Sequence, residues 1–243
     1  MSNKNKNVKI VFSGGSGRFG KVLKKIKSGS NVLYPKKNEL NIENLNSIIR
    51  YIKKHKPKIF VHMAGLSRPM SIHENNINKS INLNIIGTAN VVLACKKFNI
   101  KLVYISTNFV YPGIKGKFKE TDPIKPFNNY GWSKLGGEAS VQMYKNSLIL
   151  RTCMTEEPFV HKKAFSDVIT NFEYHKKIGE MLFKLLNQKG IINLGGKPQS
   201  VHKFAKEKKL YVQKIFAKKI FGKNYPLRQD MNISKLKKIL KNK

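Results

Sequence analysis

Val8-Lys9-Ile10-Val11-Phe12-Ser13-Gly14-Gly15-Ser16-Gly17-Arg18-Phe19-Gly20 is the stretch that decides the fold. Residues 8–12 form a short apolar run that reads as a strand, and an amphipathic helix is predicted over about 18–27. A glycine pattern carries meaning when a strand precedes it and a helix follows at once. The segment satisfies G-x-G-x-x-G from Gly15 and G-x-x-G-x-x-G from Gly14. Glycines permit a tight turn and close backbone approach, and the helix start offers free N–H groups to a diphosphate. Gly14, Ser16, Gly17, Arg18, Phe19 and Gly20 are therefore candidate cofactor-binding residues. An ordinary glycine turn is the competing reading.

Outward from this unit, strands and helices alternate. Asn31-Val32-Leu33-Tyr34, Ile59-Phe60-Val61-His62, Lys101-Leu102-Val103-Tyr104-Ile105-Ser106 and Ser147-Leu148-Ile149-Leu150-Arg151 read as strands. Helices are expected over 43–55, 76–98 and 130–145. Parallel strands need crossovers, so this spacing predicts an α/β fold with a Rossmann-type doubly wound parallel sheet. Ligands in such sheets gather at the carboxyl ends of strands, which places Gly14 to Gly20, Ala64, Gly65, Ser106 and Thr107 together. Beyond Arg151 the pattern loosens: a helix over 173–188, the strand Ile191-Ile192-Asn193-Leu194, a capped helix over 200–209 and an amphipathic helix over 232–240. Residues 1–151 are expected to form the dinucleotide-binding domain. Residues 152–243 should form a small substrate lobe, partly interwoven with it.

Asn129-Tyr130-Gly131-Trp132-Ser133-Lys134 places a phenol and an ammonium four residues apart, on one face of a helix. Asn128 or Asn129 can cap that helix. A nearby ammonium favours phenolate, so Lys134 is expected to lower the Tyr130 pKa toward the range of a proton donor.

Composition narrows the class. The chain has 243 residues and a formal charge of +35. Lysine supplies 43 of the 48 basic residues and is scattered; arginine, the bidentate reader of phosphate and guanine, numbers five. We read the lysine excess as compositional bias, with non-specific polyanion binding at low salt and no specific nucleic-acid partner. From Lys197 onward fifteen basic residues face only Glu207 and Asp230, which reads as a solvated lysine face. No apolar run reaches the roughly 18 residues a membrane span needs, and residues 1–7 lack a signal-peptide core, so a cytoplasmic location is expected. Cys95 and Cys153 make no disulfide framework; Cys95, in an apolar run, reads as a buried thiol. The six histidines show no metal-ligand spacing.

Four elements stand in one order: the glycine loop, His62-Met63-Ala64-Gly65, Ser106-Thr107-Asn108-Phe109-Val110-Tyr111 and Tyr130-Gly131-Trp132-Ser133-Lys134. Together they resemble the extended short-chain dehydrogenase/reductase family, and within it the nucleotide-sugar reductases of the dTDP-4-dehydrorhamnose type. Glu39-Leu40-Asn41-Ile42, Gly190-Ile191-Ile192-Asn193-Leu194-Gly195-Gly196 and Arg228-Gln229-Asp230-Met231-Asn232 add to that likeness, as does the helix segment around Asn84. The resemblance implies Tyr130 as acid/base, Lys134 as holder of the nicotinamide ribose, and Thr107 as donor to the reacting carbonyl. Asn84 is taken as structural.

The implied activity is NAD(P)H-dependent reduction of a nucleotide-linked 4-keto-6-deoxy sugar. An NAD-dependent nucleotide-sugar epimerase and a non-catalytic NADP-binding regulatory subunit are the alternatives. Asn108-Phe109 stand where family dehydratases carry Asp-Glu, which argues against dehydration. No acid ends the second strand; Pro35-Lys36-Lys37 follow, so NADP(H) is favoured, with Lys36 and Arg18 near its 2′-phosphate, and NAD(H) is the alternative. Glu39 is the one nearby acid that a turn could return to the ribose. A homodimer is compatible with the family. The segment Thr152-Cys153-Met154-Thr155-Glu156-Glu157-Pro158-Phe159 matches no sugar-site pattern.

Overall fold

The computed structural model describes residues 8–209 and 211–242; the polar start at residues 1–7 lies outside them. In chain order the elements are β1 (Ile10–Ser13), α1 (Arg18–Ile26), β2 (Val32–Leu33), α2 (Leu45–His55), β3 (Ile59–His62), α3 (Ile72–Asn75), α4 (Ile77–Ser80), a π-helical stretch (Ile81–Ile86), α5 (Gly87–Lys97) and β4 (Lys101–Thr107). A 3₁₀ turn (Asn108–Val110), α6 (Asn129–Gln142) and β5 (Ser147–Thr152) follow. The remainder comprises β6 (Met154–Thr155), β7 (Lys163–Phe165), β8 (Ile169–Thr170), β9 (Glu173–Tyr174), α7 (His175–Leu185) and β10 (Gly190–Leu194). Last come β11 (Gln199–Ser200), α8 (Val201–Lys206), β12 (Gln213–Ile215), α9 (Ala217–Phe221) and α10 (Ser234–Lys241).

Six strands form one parallel sheet in the order β10-β5-β4-β3-β1-β2. Successive strand residues alternate between its two faces. Ile10, Phe12, Ile59, Val61, Val103, Ile105, Leu148 and Leu150 pack with residues of α1, α7 and α10. Val11, Phe60, Leu102, Tyr104 and Ile149 pack with residues of α2, α5 and α6 on the other side. Burial on both faces is why these strands read as continuous apolar runs. β2 has only two residues, and Pro35, lacking an N–H, follows two residues later.

A smaller cluster joins Phe159, Val168, Tyr174, Phe204 and Val212 beside the sheet. Its strands are two or three residues long. Asn193, on β10, donates from Nδ2 to the carbonyls of Phe118 and Asn232 at 2.8 and 3.2 Å. Asn171 donates to the carbonyls of Gly196 and Met231 at 2.9 and 3.3 Å. These amides tie the segments at Phe118 and at Met231 and Asn232 to β10 and to the loop between β8 and β9.

Four element boundaries differ from expectation. The helix over 76–98 contains the π-helical stretch, the α6 helix stops at Gln142, 173–188 begins as the strand β9 before α7, and the helix over 200–209 stops at Lys206. Asn84 explains the first. Its Oδ1 accepts from Leu66 N at 2.7 Å, and its Nδ2 donates to Leu66 O and Ser133 Oγ at 2.9 and 2.8 Å. A π turn swings one residue out of register and often serves a functional site. Here it locks the loop after β3 to the start of α6.

Candidate active site

The sheet's connections reverse direction between β1 and β3, so the loops leaving those strands flank a crevice at their carboxyl ends. Gly14 sits at φ +78°, and a Cβ there would lie 2.8 Å from Ala64 Cα. The two loops therefore touch, and only glycine fits. Gly17 behaves differently. Its φ of −72° suits any residue, and a Cβ would meet only the Gly14 carbonyl, at 3.1 Å. It caps α1 without a side-chain bond, whereas α2 and α6 are capped by Asn44 and Asn128. Ser16, Gly17 and Arg18 are exposed. An open helix start with no capping side chain and no acid in its first turn suits an anionic diphosphate.

Tyr130 lies in the first turn of α6, where Asn128 Oδ1 accepts from Gly131 N at 2.8 Å. Its ring stands between His73 and Phe109, with centroids at 5.1 and 5.7 Å. Burial raises its pKa above the ordinary phenol value; hydrogen bonding with Thr107 and the positive charge of Arg68 oppose the rise. Thr107 ends β4 and caps the 3₁₀ turn, accepting from Phe109 N at 3.3 Å. The structure thus brings Tyr130 and Thr107 together.

Lys134 corrects one expectation. Its ammonium stands 4.2 Å from the centre of the Tyr104 ring, and it is not among the charges that lower the Tyr130 pKa. Burial instead pulls Lys134 itself down to about 7, with Glu138 opposing. Glu138 offsets that fall only in part. It is fully buried and takes Arg151 at 2.7 Å and the Ser106 hydroxyl at 2.6 Å. Arg151 also donates to Tyr111 Oη at 2.7 Å. Ser106 thus belongs to this internal network.

Other sequence candidates are placed as follows. Ala64 and Gly65 line the loop after β3, with Gly65 exposed. Phe19 is buried in the core with its ring 5.3 Å from His175. Lys36 is exposed beyond β2, and its N–H donates to Glu39 Oε2 at 2.7 Å. Arg18 reaches across to Glu156 at 2.8 Å, so its guanidinium is not turned toward the end of β2. Tyr34 covers Gly15, stacks on Phe12 at 4.9 Å and donates to Lys27 O. His62 is buried and held near pKa 3 by burial, bonded to Ser13 and Thr88. Among the described residues no three His, Cys, Asp or Glu side chains group as a metal set. No described helix is long and apolar enough to cross a membrane.

Residues the sequence reading passed over are Arg68, His73, Glu138 and Glu156. Glu138 had a signal: it lies four residues after Lys134 on one helix face, and Arg151 is a lone charge on an apolar strand. Arg68 and Glu156 had none, because they meet across 88 residues.

The family model of the RmlD substrate binding domain matches residues 8–173. A dTDP-4-dehydrorhamnose reductase of Aggregatibacter actinomycetemcomitans is 30% identical over 152 residues, covering 60% of this chain and 51% of that protein. Methionine adenosyltransferase 2 subunit beta of Bos taurus is 27% identical over 144 residues, covering 56% and 43%. The chain matches about half the length of these relatives. Among solved structures, dTDP-4-dehydrorhamnose reductase of Bacillus anthracis in complex with NADP superposes with a TM-score of 0.83 at 22% identity, covering 95% of this chain and 92% of that one. Bordetella bronchiseptica WbmG, in complex with NAD and UDP, gives 0.75 at 16% identity, covering 98% and 88%. With the doubly wound sheet, the glycine loop and the Thr107–Tyr130 pair in place, the chain belongs to the RmlD substrate-binding-domain family of extended short-chain dehydrogenase/reductase-like proteins.

Proposed function

We propose that the chain reduces the keto group of a nucleotide-linked 4-keto-6-deoxy sugar with NAD(P)H. The observation that carries this reading is the meeting of two hydroxyls, Thr107 and Tyr130, beside an open helix start shaped for a diphosphate. The reduced nicotinamide supplies the hydride when bound. Both hydroxyls can donate to one carbonyl oxygen and stabilise the charge that develops there. Tyr130 gives the proton; burial raises its pKa, and the Thr107 hydrogen bond and the Arg68 charge work against that rise, toward the range a proton donor needs. Lys134, one turn along α6, is the cation available to the cofactor's ribose hydroxyls and, through them, to the tyrosine.

Purified protein should consume NADPH when given dTDP-4-keto-6-deoxy sugars and should not retain cofactor through purification. Retained NAD with no consumption would favour an epimerase. Dinucleotide binding without turnover on any such sugar would favour the non-catalytic reading, to which the likeness to methionine adenosyltransferase 2 subunit beta gives weight. The cofactor preference rests on Lys36 and Lys37 beyond β2. Lys37 is paired with Glu43 at 2.7 Å, which leaves Lys36 the freer cation. The ratio of kcat/KM for NADPH and NADH should fall in Lys36→Ala, and an unchanged ratio would remove Lys36 from the site.

A further inference from the structure

Glu156 lies just after β6, in the segment to which the family likeness gives no role. Its carboxylate joins two guanidinium groups from opposite sides of the crevice. Arg18, first residue of α1, donates from Nη1 to Oε1 at 2.8 Å, and Arg68, beyond β3, donates from Nη1 to both oxygens at 3.1 and 3.0 Å. Arg18 also donates to Ser67 Oγ at 3.4 Å. The loops after β1 and β3 are thus strapped together by one anion across the opening where the helix start is uncapped.

The charges do not balance. Two guanidinium groups face one carboxylate, and the nearby imidazoles of His161 and His175 have pKa values lowered mainly by burial, so they are neutral at pH 7. A diphosphate carries the second negative charge and offers paired oxygens that fit the guanidinium fork. The strap is also exchangeable. Side-chain exposures are 49% for Arg18, 33% for Arg68 and 20% for Glu156, against 2% and 0% for the sealed Arg151–Glu138 pair. Ion pairs with that much solvent contact contribute little net stability.

We infer that Arg18 and Arg68 form a diphosphate-binding pair and that Glu156 is an internal anion which the ligand displaces. The inference rests on the proposed dinucleotide-dependent reading and adds to it a built-in competitor. The diphosphate can come from the dinucleotide or from the sugar nucleotide, since both present the same group. Arg18 adjoins the glycine loop, which favours the dinucleotide.

The test is Glu156→Gln in the full chain, with Kd measured calorimetrically for NADPH, NADH and thymidine diphosphate. Removing the competing charge should tighten binding roughly three- to tenfold, the scale of one or two partly exposed ion pairs. Tightening confined to the dinucleotides assigns the arginine pair to the cofactor; tightening confined to thymidine diphosphate assigns it to the substrate. Unchanged or weaker binding of all three overturns the inference. If Glu156→Gln does not fold, Arg18→Gln must weaken the same binding by a similar factor while Arg68 keeps Glu156, and unchanged affinity there overturns it equally. A folded parent that binds neither dinucleotide would sink the reductase reading itself, a result distinct from a variant that binds no better than its parent.

Discussion

Gly17→Val should remove dinucleotide binding while leaving the fold intact, and the structure says why the neighbouring glycines would not give so clean a result. A Cβ on Gly20 would lie 2.5 Å from the Gly15 carbonyl, and one on Gly14 would strike Ala64 at a positive φ. Either change forces backbone apart, an overpacking cost of about 1–3 kcal/mol or more. At Gly17 the φ is already −72° and the sole neighbour, the Gly14 carbonyl at 3.1 Å, needs to give only a few tenths of an ångström. Loss of glycine freedom in the unfolded chain offsets part of that, by about 0.4–1 kcal/mol. The melting temperature should therefore move by only a few degrees, as roughly 1 kcal/mol shifts a chain of this size by about 2–4 °C. Binding should suffer far more. The added side chain stands over the open helix start and holds a diphosphate off one or two charge-assisted hydrogen bonds of about 1.5–3 kcal/mol each, a loss of about tenfold to 10⁴-fold. Trp132, the one tryptophan, is half-exposed two residues from Tyr130 and offers a fluorescence readout of NADPH binding. Parental affinity in Gly17→Val would move the diphosphate elsewhere. A collapsed melting transition would show that the glycine serves packing alone.

Tyr130→Phe should cost about 10²–10⁴ in turnover, the usual contribution of a positioned general acid, with NADPH affinity close to the parent's; retained activity would reassign the proton donor. Lys134 is held near 7 in the folded chain against an ordinary 10.5. Between those values the unfolded chain binds a proton the folded chain lacks, so stability should rise with pH from about 7 upward and lose that gain below it. Lys134→Met should flatten this slope while damaging turnover, and parallel Tm-versus-pH curves for parent and variant would contradict the assignment. Glu138→Gln should destabilise by about 3–5 kcal/mol, because it strands the buried Arg151 charge, and lower Tm by roughly 6–20 °C. A shift of only a degree or two would mean that Tyr111 and the Glu120 carbonyl suffice for Arg151.

What was legible in the sequence was local or periodic. The strand–loop–helix unit, the buried strands and the Tyr130–Lys134 spacing each declare themselves within a dozen residues. The π-helical stretch did not, because Asn84 reads as one more helix residue until its amide is seen bonded to Leu66 and Ser133. Residues 154–174 were opaque for another reason: two-residue strands have no period to detect, and their partners lie at positions such as Gln199 and Gln213. The Lys134 assumption failed at the level of charge. Spacing puts two groups on one face, yet whether an ammonium lowers a phenol's pKa depends on what else holds that ammonium. Here the ammonium stands over the Tyr104 ring, and burial drives it toward its neutral form.

The charge count shows the same limit from the other side. With 48 basic residues and 13 acidic ones, carboxylates are the scarce partner, and the structure shows where they go. Four of the five arginines are paired with one: Arg18 and Arg68 with Glu156, Arg151 with Glu138, Arg228 with Asp230. The lysine bridges that remain, such as Lys37–Glu43 and Lys115–Asp122, have exposed ammonium ends. A guanidinium fork fixes a carboxylate in direction as well as distance, whereas a flexible, well-hydrated ammonium does so weakly. Arg18 and Arg68 therefore span the crevice and Arg151 anchors an internal network, whereas the lysines form a coat that salt screens within about 10 Å at 0.1 M. It follows that raising salt should strip polyanion binding from this protein long before it loosens the Arg151–Glu138 pair. The Arg18–Glu156–Arg68 strap, exposed enough to open, lies between those extremes.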